Sequence, residues 1–101
     1  MASHTIVYTP EAEAQLLDLY RYIAAEASPA TAARFTDAIV NRCEALCAFP
    51  ERGAPRFDVR PGMRTLSFRR VTITYAVTDL DVIIIGVFYG GQDYESILRE
   101  D

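Results

Sequence analysis

Two helix-start signals stand a short distance apart in this chain, and they constrain the fold more than any other feature. Thr9-Pro10-Glu11 supplies a capping hydroxyl, a proline at the first helical position and an acid near the positive helix end. Ala12, Leu16, Leu19, Tyr20, Ile23 and Ala27 follow at helical spacing and predict a helix to about Glu26. Ser28-Pro29 then repeats the start signal with almost no loop between. A second stripe runs through Ala32, Phe35, Ala38, Ile39, Cys43, Leu46 and Phe49, and Pro50 is expected to stop it. Two helices joined so tightly must fold back as an antiparallel hairpin.

The rest of the chain supplies the surface that these stripes need. "HTIVY" at 4–8 reads as a short strand, and "PERGAPRFDVRPG" at 50–62 as a long irregular loop rich in Pro and Gly. Met63, Leu66 and Phe68 alternate imperfectly over 63–68, whereas Val71, Ile73, Tyr75 and Val77 alternate cleanly over 71–77. "TDLD" makes a turn, and "VIIIGVFY" at 82–89 is apolar on both faces, as a central strand would be. The predicted class is α+β with the order β-α-α-β-β-β. A helical hairpin packs on one face of a mostly antiparallel four-stranded sheet, with residues 1–101 as a single domain.

Charge narrows the function. The ten basic residues are all Arg, with no Lys, and the net charge is −4. Such a field repels a polyanion, so general nucleic-acid binding is disfavoured. Cys43 and Cys47, four apart on one predicted helix, have no further Cys or His cluster with which to build a zinc site, and are expected to be reduced packing residues. Neither a signal peptide nor a membrane span is expected, and the expected location is the cytoplasm. In "FYGGQDYE" the pair Gly90-Gly91 lacks the Lys and the spacing of a phosphate loop, so no cofactor is expected. The glycines there end a strand, and Asp93 caps a short helix, "YESIL".

In this order, "YTPEAEAQLLDLYRYIAAEASPATAARF", Pro50 with Gly53, Arg64, and "ITYAV" with Tyr75 leading into "DVIIIGVFYGGQD" resemble the RelE/ParE superfamily of type II toxin–antitoxin toxins. Within it the chain looks like the ParE branch. The resemblance implies a toxin that binds DNA gyrase, arrests growth and is neutralised by a ParD-like antitoxin. The alternative is a RelE-like ribosome-dependent messenger-RNA endonuclease.

The residues themselves favour binding. Cutting RNA through a 2′-hydroxyl needs a general base, a general acid and cations around the developing charge. No Lys is present, and the single histidine, His4, lies in the first strand, where it is expected to face solvent. Where many relatives carry a His followed by paired Arg, this chain has Tyr89, Gly91 and Gln92. No catalytic residue is therefore assigned. A residual nuclease would draw on Arg64, Arg69, Arg70, Tyr89 and Tyr94. Leu17, Tyr22, Val40 and Cys47 fall outside the core stripes, and Tyr94, Ile97 and Leu98 have little chain left to cover them. From the resemblance, Leu17, Tyr22, Val40 and Arg64 are expected to meet the antitoxin. Arg69, Arg70, Tyr89, Tyr94, Ile97 and Leu98 are the candidates for the target. Arg42 falls inside the second apolar stripe and is expected either to snorkel or to pair with Asp18 or Glu44.

Overall fold

The computed structural model describes residues 3–91 and 93–99. Strand β1 (Thr5–Tyr8) leads into helices α1 (Pro10–Glu26) and α2 (Pro29–Glu44), and a 3-10 turn at Ala45–Cys47 closes the hairpin. Both start signals work as capping chemistry requires. Thr9 Oγ1 accepts from the Ala12 amide and Ser28 Oγ from the Thr31 amide, each at 3.1 Å. Strands β2 (Ala54–Pro55), β3 (Met63–Phe68), β4 (Val71–Val77) and β5 (Asp81–Tyr89) follow, and then the short helix α3 (Tyr94–Leu98). Asp93 caps α3 by accepting from the Ser96 amide at 3.2 Å.

The sheet order is β1-β5-β4-β3-β2, with β1 parallel to β5 and the other pairs antiparallel. The four predicted strands form one sheet carrying the helical hairpin, and the loop contributes a fifth strand of two residues. Ala54 and Pro55 pair with Thr65 and Arg64 because two side chains pin the loop there. The buried Tyr75 hydroxyl accepts from the Gly53 amide at 2.7 Å, and Arg64 Nη1 donates to the Gly53 carbonyl at 2.9 Å. Gly53 has no room for a side chain. An added Cβ would stand 2.6 Å from both the Thr65 carbonyl oxygen and the Tyr75 hydroxyl.

β5 is buried on both faces and needs two covers. On one face Val82, Ile84 and Val87 join Val71, Ile73 and Tyr75 under the helical stripes of Ala12, Leu19, Ile39, Cys43 and Leu46. On the other, Phe88 packs with Val59, Met63 and Leu98, so the loop and α3 make a second small core. The switch between faces is a bulge: Thr74 faces Gly86 whereas Tyr75 faces Ile84, leaving Ile85 as the extra residue. β1 has ended by this point, and helix side chains satisfy the freed backbone. Thr9 Oγ1 donates to the Ile85 carbonyl at 3.1 Å, and the Val87 amide donates to Gln15 Oε1 at 2.7 Å.

Two stripe positions depart from the periodic reading. Ala27 is exposed, at the C-cap beyond α1. Phe49 is 69% exposed, because regular α-helix stops at Glu44 rather than at Pro50. The tighter 3-10 turn breaks the 3.6-residue phase, and the Cys47 carbonyl accepts at 3.1 Å from the amide of His4, which stands just before β1 rather than in it. Both cysteines are free thiols, and burial pushes the Cys43 thiol up to about 11.

Replacing Tyr75 with Phe removes the acceptor for the Gly53 amide without changing the ring. Urea denaturation is expected to show a loss of about 1–3 kcal/mol, the usual cost of an unpaired buried donor. Gly53→Ala is expected to destabilise at least as much, since backbone must move to admit the methyl.

Candidate functional site

The end of the sheet where β3 turns into β4 brings aromatic rings and arginines together. Phe68, Val71 and Tyr89 form a row across β3, β4 and β5 through the pairs Phe68–Val71 and Val71–Tyr89. Arg69 and Arg70 make the whole of the intervening turn, at φ +47° and +66°. Both lie in the left-handed region that Gly and Asn fill easily, and occupancy by other residues costs on the order of 1 kcal/mol each. The Gly90 amide donates to the Arg70 carbonyl at 2.8 Å, tying the turn to the end of β5.

Three guanidiniums lie on the rings of this row. Arg42 stands 4.5 Å and Arg69 5.0 Å from the Phe68 centroid, and Arg70 stands 5.9 Å from that of Tyr89. Tyr22 and Phe35 reach Tyr89 from the helices at 6.2 and 6.0 Å between centroids. The pairing of Arg42 with Asp18 or Glu44 is not what forms. Arg42 is exposed with its guanidinium against Phe68, and Glu44 instead accepts from the Tyr8 hydroxyl at 3.1 Å.

The remaining candidates are dispersed. Leu17 and Tyr22 are 48% and 55% exposed on α1, and Val40 is half-buried on α2. Arg64 lies at the β2 edge, donating through Nη1 to the Glu51 and Gly53 carbonyls. On the other sheet face, Leu98 is 7% exposed in the second core while its neighbour Ile97 is 59% exposed. Gln92 lies outside the described residues. His4 is half-buried and donates from Nε2 to the Thr78 carbonyl at 3.0 Å.

Sequence reasoning missed the residue that organises α3. Arg56 donates to the Tyr94 hydroxyl at 2.6 Å and to Glu95 at 3.2 Å, and pairs with Asp58 at 3.1 Å. Arg60 Nε donates to the Leu98 carbonyl at 2.6 Å, and Arg99 to the Asp58 carbonyl at 3.1 Å. The available signal was Arg56 and Arg60 in a loop rich in Arg, together with an acid-bearing C-terminal segment.

This placement bears on chemistry. Arg64 pairs with Tyr75 and Tyr89 with Val71, so Arg64 and Tyr89 sit four positions apart along β4, about 13 Å at 3.3 Å per residue. Tyr94 packs on the opposite face against Phe88. Of the five nuclease candidates, Arg69, Arg70 and Tyr89 lie together at one end of the sheet, and Arg64 and Tyr94 are held apart from them. Burial raises the Tyr75 hydroxyl above the ordinary tyrosine value, away from that of a base. Among the described residues no group of three His, Cys, Asp or Glu side chains is placed to hold a metal ion.

A family model described as the ParE toxin of the type II toxin–antitoxin system parDE matches residues 6–94. The chain belongs to the ParE toxin family. A curated relative, Toxin ParE3 of Caulobacter vibrioides, is 36% identical over 61 residues, a match covering 56% of this chain and 61% of the relative. The chain thus spans less than two thirds of that ParE relative's length. A solved chain described as the chromosomal ParDE TA system from P. aeruginosa superposes with a TM-score of 0.76 at 22% identity, covering 87% of this chain and 97% of the other. The fold of that chain is therefore shared at low sequence identity. No helix among the described residues is long and apolar enough to cross a membrane.

The α3 clamp is expected to be acid-sensitive. Asp58 is held below the usual carboxylate range chiefly by the Arg56 hydrogen bond, and Asp93 by that of Ser96. A carboxyl depressed in the folded state stabilises it above the unfolded value near 4 and loses that contribution as pH falls through the lowered value. Amide protection in α3 should thus be level at neutral pH and fall below about pH 4. Asp58→Asn should flatten the dependence in hydrogen-exchange NMR. Added salt should shrink it, because these groups are exposed.

Proposed function

We propose that this ParE family toxin arrests growth by binding DNA gyrase in the cytoplasm, and that it performs no phosphodiester chemistry of its own. The observation that carries the reading is that Arg64 and Tyr94 lie at another end and on another face of the sheet from Arg69, Arg70 and Tyr89, which leaves that group with cations and one tyrosine but no second acid–base side chain among the candidates. In-line cleavage needs base, acid and cation around one phosphate. Here Arg64 is engaged with loop carbonyls and Tyr94 with Arg56. The family match over residues 6–94 supports a toxin acting as one domain with a ParD-like antitoxin.

The antitoxin surface in this proposal comprises Leu17, Tyr22, Val40 and Arg64. Leu17 and Tyr22 are the large exposed apolar side chains of α1, and an amphipathic partner segment covering them would bury surface that the toxin leaves wet. Arg64 marks the outer edge of β3, most of which the two-residue β2 leaves without a strand on that side among the described residues.

Purified toxin in excess is expected to abolish gyrase supercoiling and to accumulate cleaved DNA, with prior addition of antitoxin restoring activity. Undiminished supercoiling would contradict the gyrase reading. Leu17→Asp is expected to weaken antitoxin binding by roughly ten-fold or more, the effect of losing one buried leucine, while growth arrest persists. Titration calorimetry against the antitoxin measures the first and induced expression the second.

A further inference from the structure

The turn between β3 and β4 carries strain that the hairpin does not require. A two-residue turn with positive φ at both positions is filled without cost by Asn-Gly, yet here it is Arg69-Arg70. Strain of this kind persists where a residue's identity serves something other than folding. The two guanidiniums join Arg42 on the Phe68–Tyr89 row. The chain carries more acids than arginines, yet these three pair with no carboxylate among the described residues. The ion pairs there all lie in the Arg56–Asp58–Glu95–Arg99 cluster. At the Tyr89 end of the row, next to the ring that carries Arg70, runs a groove of about 360 Å³ lined by Gln15, Asp18, Leu19, Tyr22, Val87 and Tyr89, while Arg42 and Phe68 line a separate hollow with Arg52.

We propose that this surface is the toxin's contact with its target and that it takes an acidic protein segment. Carboxylates of that segment lie on Arg42, Arg69 and Arg70, and one apolar or aromatic side chain enters the groove between Tyr22 and Tyr89. A guanidinium over a ring still offers N–H donors for bidentate carboxylate contacts. Asp18 lines the groove, so the segment's carboxylates belong on the arginines and an uncharged side chain in the groove, an alternation of acid and apolar group that a protein segment supplies and a uniformly charged nucleic-acid backbone does not. The antitoxin surface proposed above shares only Tyr22 with this one, since neither Leu17 nor Val40 lines the groove. The proposal rests on the reading of the chain as a toxin that acts by contact.

The test uses the full chain and a double variant, Arg69→Asn with Arg70→Gly, which relieves the strained turn and removes two of the three cations. Its melting temperature should be no lower than that of the wild type, its antitoxin affinity unchanged, and its growth arrest lost. In parallel, the arginine Nε–H signals are followed by NMR on adding one of three probes: a short acidic peptide with a central Phe, the same peptide with Lys for each acid, or a DNA duplex. Saturable shifts at Arg42, Arg69 and Arg70 are expected with the acidic peptide alone, and binding should weaken about ten-fold or more in the variant. Growth arrest at wild-type strength in the variant overturns the proposal. So does a parallel loss of antitoxin binding, which assigns the surface to the antitoxin, or preferential binding of the duplex, which assigns it to nucleic acid. A wild-type chain that neither arrests growth nor inhibits gyrase refutes the toxin reading instead, and the peptide titration separates that failure from this one.

Discussion

A nine-residue strand buried on both faces, β5, sets the terms for the rest of the molecule. One face is covered by the helical hairpin, whose stripes supply ample apolar surface. The other has only the 50–62 loop and a five-residue helix to cover it, and neither can form alone. Arginine compensates for the small apolar area there. Arg56, Arg60 and Arg99 reach from loop to helix and back, while Tyr75 and Arg64 hold the loop against the sheet from beneath.

Seven of the arginines fall into two groups. Arg56, Arg60, Arg64 and Arg99 are consumed by carbonyls, carboxylates and the Tyr94 hydroxyl, and they are fold elements. Those at the β3–β4 end lie on aromatic rings, with their hydrogen-bonding edges turned to no acid among the described residues. An acidic protein thereby keeps a cationic, aromatic end, although its average charge would not suggest one. Whole-chain charge governs long-range attraction of polyanions, whereas a contact surface is decided by which cations the fold leaves unspent.

Local chemistry explains which parts were legible in advance. Thr9-Pro10, Ser28-Pro29 and Asp93 are signals that act within three residues, and each caps the helix it was read to start. The doubly apolar 82–89 run reads as a central strand because burial on two faces needs no knowledge of what covers them. β2 was invisible because it depends on a hydrogen bond between residues 22 apart, from Gly53 to Tyr75. Phe49 misled because a periodic pattern does not show where an α-helix tightens and loses phase. Arg42 looked like a buried ion-pair partner because spacing places it on the stripe, while only the tertiary fold brings Phe68 under it. Arg69, Arg70 and Tyr89 could be named individually, but their grouping with Arg42 and Tyr22 joins four elements or turns distant in sequence.

What the molecule does then turns on whether its cations ever act on a phosphodiester. The most direct measurement maps messenger-RNA 5′ ends and protein-linked DNA breaks in the same cells during toxin-induced arrest. A toxin that works by surface contact with gyrase should add no new RNA ends and should raise the level of DNA breaks. Codon-registered RNA cleavage without DNA breaks would contradict this account.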